Sequence, residues 1–201
     1  MPEPDTDPVA LTRAWVERAV VGLNLCPFAR ATTAKASLRF AVCQAGDSES
    51  LLADLCTELE RLAGADPATL ETTLLIHPHV LNDFTEFNDF LDRADAALCK
   101  LGLEGVIQLA SFHPDYRFAG TEAHDIGNAT NRSPYPTLHL LREDSIDRAV
   151  AAFPEPEAIF EANIRTLEAL GNEGWARLQA ECRSDARESA SSAGQSATGV
   201  G

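Results

Sequence analysis

The 201-residue chain is short of basic residues, of paired cysteines and of long apolar runs, and each shortage excludes a class of protein. Lys and Arg number 16 against 31 Asp and Glu, for a formal net charge of -15. Nucleic acid and anionic membranes are held by clustered Lys and Arg, so neither is expected as a partner. The five cysteines, at 26, 43, 56, 99 and 182, form no CxxC pair. An odd, unpaired set fits reduced thiols rather than a disulfide scaffold or a zinc knuckle. No apolar run approaches the roughly 20 residues of a membrane span, and Met1 to Asp7 holds neither a basic nor an apolar targeting region, so the cytoplasm is the expected compartment. Nucleotide loops of the GxxxxGK[ST] and GxGxxG types are missing, as are GxSxG, HExxH and an EF-hand loop.

What remains is a chain that is 45% hydrophobic and 23% charged, enough to bury the core of one α/β domain over residues 1–182. A first helix begins at Asp5 to Pro8 and runs to Leu23, where Asn24-Leu25-Cys26-Pro27 breaks it. Strands are expected at Ser37–Ala45, Thr72–Val80, Gly105–His113 and Thr137–Arg142. Leu51, Leu55, Leu59 and Leu62 mark a helix between the first two strands, and Phe84, Phe87, Leu91, Ala94 and Leu98 another between the second and third. Helical connections of that length predict a four-stranded, mostly parallel sheet with the fourth strand antiparallel, flanked by crossover and C-terminal helices. From Arg183 to Gly201 the Ser-, Ala- and Gly-rich sequence reads as a disordered tail.

The polar residues suggest a site at one edge of that sheet. His77 and His79 end the second strand, His113 ends the third, and His139 lies near the start of the fourth. An HxH pair in an extended segment places two imidazoles on one face, a spacing two metal ligands can use. With His113 and His139 or Cys26 they would complete a zinc or iron site, with Asp115, Glu122, His124 or Asp125 nearby as base or supporting carboxylate. In the long loop Pro114–Pro136, Asn128, Asn131, Arg132 and Ser133, together with Arg142, are the groups that would hold a small anionic molecule. Cys26 is a candidate nucleophile or ligand, and Asn24 to Phe28 a candidate apolar plug over the pocket.

The strings Leu23-Asn24-Leu25-Cys26-Pro27-Phe28, Ser111 to Phe118 (SFHPDYRF) and Asn131 to Glu143 (NRSPYPTLHLLRE) resemble the bacterial family of unknown function numbered 1415, over about Leu11 to Trp175. The resemblance implies a compact bacterial cytosolic protein and carries over no activity, cofactor or catalytic residue. The residues themselves favour a metal-assisted small-molecule enzyme, hydrolytic or redox, with Cys26, Asp115 and Asp125 as its acid, base or nucleophile. The alternatives are a metal-free binding or regulatory module for an anionic metabolite or partner, and an iron or haem chaperone built on Cys26 and the histidines.

Overall fold

The computed structural model describes residues 6–26, 29–151 and 157–197. Asp7 caps helix α1 (Pro8–Trp15), its carboxylate accepting from the Val9 N–H at 3.0 Å, while Pro8 occupies the first turn, where its missing N–H costs nothing. The helix continues as a π-helical stretch, Val16–Val21. Gly22 closes it by donating to the Glu17 carbonyl at 3.0 Å, and a Cβ there would stand 2.2 Å from the Arg18 carbonyl oxygen, so only glycine fits. After α2 (Ala29–Ala34) come β1 (Leu38–Val42), α3 (Ser48–Gly64), β2 (Thr72–Ile76), α4 (Phe84–Lys100) and β3 (Ile107–Phe112). A 3₁₀ turn (Ile126–Asn131) precedes β4 (Thr137–Arg142), α5 (Glu143–Ala151) and α6 (Glu157–Ala197). Gly171, at φ 66° and ψ 172°, interrupts α6 with a conformation that suits glycine.

The sheet order is β1-β2-β4-β3. β1 and β2 are parallel, but β4 runs antiparallel to both β2 and β3, with Leu74 and Ala110 flanking His139. Two of the three ladders are therefore antiparallel, which corrects the expectation of a mostly parallel sheet. The reason lies in α4. A crossover helix fixes the direction of the strand it leads to without fixing adjacency, and here it carries β3 two positions from β2, leaving a slot that β4 fills.

Both crossover helices lie on one face. Leu51, Leu55, Leu59 and Leu62 of α3 and Phe87, Phe90, Ala94 and Leu98 of α4 pack on Ala41, Leu75, Ile107, Leu138 and Leu140 of the sheet. On the other face, α1 and the π-helical stretch set Leu11, Trp15 and Ala19 with Leu74, Ile76 and Phe112, and α6 adds Leu167, Trp175, Leu178, Cys182 and Ala186 to the same cluster by packing over α1. The expectation of an unstructured tail from Arg183 is corrected for residues 183–197, which are helical. Leu178, Cys182 and Ala186 recur every fourth residue along the buried stripe, and Asp185 pairs with Arg18 of the π-helical stretch. No helix among the described residues is long and apolar enough to cross a membrane.

Ala186 is 2% exposed, so Ala186→Asp puts a carboxylate into this interface. The variant is expected to lose on the order of 3 kcal/mol in urea unfolding. Wild-type stability would mean that this segment does not dock.

Candidate functional site

β2 ends at Ile76, and His77 to Val80 form a turn rather than further strand. This removes the shared face expected of His77 and His79. His77 is fully buried and donates from Nδ1 to the Val80 carbonyl at 3.0 Å, whereas His79 is exposed. His113, also fully buried, donates from Nε2 to the Leu81 carbonyl at 3.2 Å and accepts at Nδ1 from the Asp115 N–H at 3.0 Å. The two imidazoles pack on the same Phe87 ring, with centroids 5.7 and 5.1 Å from it.

His139 stands on the opposite face of the sheet, beside Phe112, so the four histidines do not form one set. Both nitrogens of His113 are engaged by backbone groups, and of the buried pair only His77 Nε2 lacks a partner. That donor arrangement does not suit a zinc or iron centre, which needs three or four converging lone pairs. Among the described residues no group of three or more His, Cys, Asp or Glu is placed to hold a metal ion.

The loop residues are occupied in holding the loop. The Asn128 side chain accepts from the Phe118 N–H and the Thr121 hydroxyl and donates to the Glu122 carbonyl. Asn131 donates to Ser111 O, Ser133 to Tyr135 O, and Asp125 caps the 3₁₀ turn through the Gly127 N–H. Arg132 donates to the carbonyls of Tyr116 and Ala123. Arg142 donates to the carbonyls of Leu62, Ala65 and Leu70, closing the C-terminal end of α3. Arg142 ends β4 while Arg132 precedes its start, and each guanidinium is held by a different set of backbone carbonyls rather than turned toward one small anion. Glu122 and His124 are exposed.

A cavity of about 670 Å³ opens instead on the α1 face, a size that holds a small organic molecule. Its floor is the sheet, with Thr72 and Leu74 of β2, His139 and Leu141 of β4, and Gln108, Ala110 and Phe112 of β3. Trp15, Val16 and Val20 form one wall, α2 and Cys26 a second, and Ile146 and Ala149 of α5 a third. The exposed rim carries Lys35 and Arg148, the latter 3.8 Å from Glu71. The π-helical stretch shapes this wall, because the Val20 carbonyl accepts from both Leu25 and Cys26 and so turns the Cys26 loop across the opening. Asn163 fixes that loop from α6 by donating to the buried Leu25 carbonyl at 2.8 Å. Pro27 and Phe28 of the expected apolar plug lie outside the described residues.

Of the candidates named from the sequence, Cys26, His139 and Arg142 line this cavity. Trp15, Thr72, Gln108, Phe112 and Asn163 were missed. Alternation along β3, which puts Gln108, Ala110 and Phe112 on one face, was the signal that could have found three of the floor positions.

Burial holds the His77 imidazole far below its ordinary value, at about 4, with the His113 ring adding to the effect; burial also lowers His113. The unfolded chain then takes up a proton on His77 near pH 6.5 that the folded chain refuses until about pH 4. The contribution is complete above pH 6.5 and is lost as the pH falls through that window. Stability should drop by on the order of 2 kcal/mol between pH 7.5 and 5.0 from this group. His77→Asn keeps a donor for Val80 and does not titrate, so urea unfolding of that variant should show a flatter profile over the same range; an unchanged slope would overturn the assignment.

No curated protein and no solved structure matches the chain. The family model described as protein of unknown function (DUF1415) matches residues 7–177, and the chain belongs to that family.

Proposed function

We propose that this protein binds a small, largely apolar molecule in the cavity between the sheet and helices α2 and α5. The observation that carries this reading is α5. It is amphipathic, yet none of its nine residues is buried, and its half-buried apolar side chains Ile146 and Ala149 line the cavity. A helix of that length is marginal without packing, so a bound molecule supplies the surface that the fold withholds. The Trp15, Leu74, Phe112 and Leu141 side chains offer apolar contact across the rest of the space. A fully anionic metabolite finds less at the floor, because Arg142 is spent on backbone carbonyls and Lys35 and Arg148 stand at the exposed rim.

The neutral fluorophore N-phenyl-1-naphthylamine should bind with a Kd on the order of micromolar and with enhanced emission. Ala110→Trp fills the floor and should abolish that binding while the far-UV spectrum and Tm stay at or above those of the wild type. No enhancement with the wild-type protein would overturn the proposal.

The presence of the Cys26 thiol and the His139 imidazole in the same cavity supports a second reading, in which the bound molecule is also an acyl donor. Hydrolysis of a p-nitrophenyl alkanoate that disappears in both Cys26→Ser and His139→Leu, with fluorophore binding retained, would favour it. Equal rates in all three proteins would discard it.

A further inference from the structure

We infer that the molecule in this cavity carries a hydrogen-bond donor, a hydroxyl or N–H, on its buried end and gives that hydrogen to Nδ1 of His139. The inference rests on the binding reading above and names the chemical class of its ligand.

The argument begins at Thr72. Its hydroxyl donates its only hydrogen to the Leu140 carbonyl at 2.6 Å, and the same oxygen lies 2.8 Å from His139 Nε2. With the hydroxyl hydrogen committed, Thr72 Oγ1 can only accept, so Nε2 must be the protonated nitrogen. The opposite assignment would press two acceptors, the threonine oxygen and the Leu140 carbonyl, together without a hydrogen between them. Nδ1 of this half-buried ring is thereby left as a bare lone pair on the cavity lining, and among the described residues it has no hydrogen-bond partner. Burial lowers the imidazole to about 4, so the ring stays neutral and Nδ1 stays an acceptor at ordinary pH.

The surroundings decide what can meet that lone pair. Leu74 and Ala110 flank His139 across its two ladders, and Ala110, the smallest side chain of the floor, leaves room beside the ring. The cations that line the cavity are not free at the floor. Arg142 is held by three carbonyls at the end of α3, and Lys35 and Arg148 are exposed at the rim. A carboxylate or ether placed against His139 would oppose lone pair to lone pair, whereas a hydroxyl satisfies both partners.

Displacement of N-phenyl-1-naphthylamine by three ligands of equal chain length tests this: decan-1-ol, its methyl ether and decanoate. The wild-type protein should take up the alcohol about tenfold more tightly than the ether, and more tightly than decanoate, consistent with one added hydrogen bond. His139→Leu should bind alcohol and ether equally, and should hold the fluorophore more weakly than the wild type because that probe also carries an N–H. Thr72→Val removes the group that fixes the tautomer, so the ring can turn its N–H to the cavity; the alcohol preference should shrink and decanoate should gain. Equal binding of alcohol and ether by the wild type overturns the inference and leaves the binding reading standing. Failure of the fluorophore to bind at all overturns the reading beneath it.

Discussion

β4 occupies the slot between β2 and β3, and both faces of the molecule are arranged around that insertion. Its two antiparallel ladders send Leu138 and Leu140 toward α3 and α4 and His139 toward α1. The strand's far end delivers Arg142 to the open carbonyls at the C-terminus of α3, and its near end holds His77 through the Pro136 carbonyl. Had β3 paired directly with β2, His139 would have no place at the centre of the cavity floor, and Thr72 would have no imidazole to lock.

The histidines show how one residue type is put to two uses. His113 joins the end of β3 to the segment after β2 by donating to the Leu81 carbonyl, and His77 ties that turn to itself through Val80, with Phe87 packed against both rings. These rings do the work of buried amides, closing a corner that ordinary strand pairing does not reach. His139 differs because a side-chain hydroxyl takes one of its nitrogens and nothing among the described residues takes the other. Position in the sheet separates the two cases, since His139 is flanked by strands on both sides while the other two lie just past strand ends.

Much of the secondary structure was legible because its signals are local. The leucines of α3 and the phenylalanines of α4 repeat at helical spacing, and the β4 boundaries at Thr137 and Arg142 coincide with the predicted ones. Strand order was not legible, because it depends on where a crossover lands rather than on any residue within it. The HxH pattern misled since an alternation argument holds only while the strand continues, and here it stops at Ile76, one residue before His77. Arg132, Arg142 and Asn128 look alike in sequence whether they hold a ligand or a carbonyl; the partner that decides lies up to 80 residues away. The C-terminal segment hid its buried stripe because cysteine and alanine carry little apolar signal beside Leu178.

The contact between α1 and α6 has a consequence for the order in which the chain can assemble during synthesis. The face covered by α3 and α4 draws its buried apolar residues from Ala41 to Leu140 and is complete once β4 has emerged. The opposite face joins Leu11 to Ala186, and the Arg18 to Asp185 pair closes a loop of 167 residues. Contacts of such separation form late, after the loop entropy has been met by closer pairings. A nascent chain therefore carries one finished face and one still lacking its outer helix, with the outward side of α1 uncovered until α6 arrives. The last helix to arrive therefore closes over α1 and the 3₁₀ turn, while the walls around the His139 floor all come from the chain before residue 150.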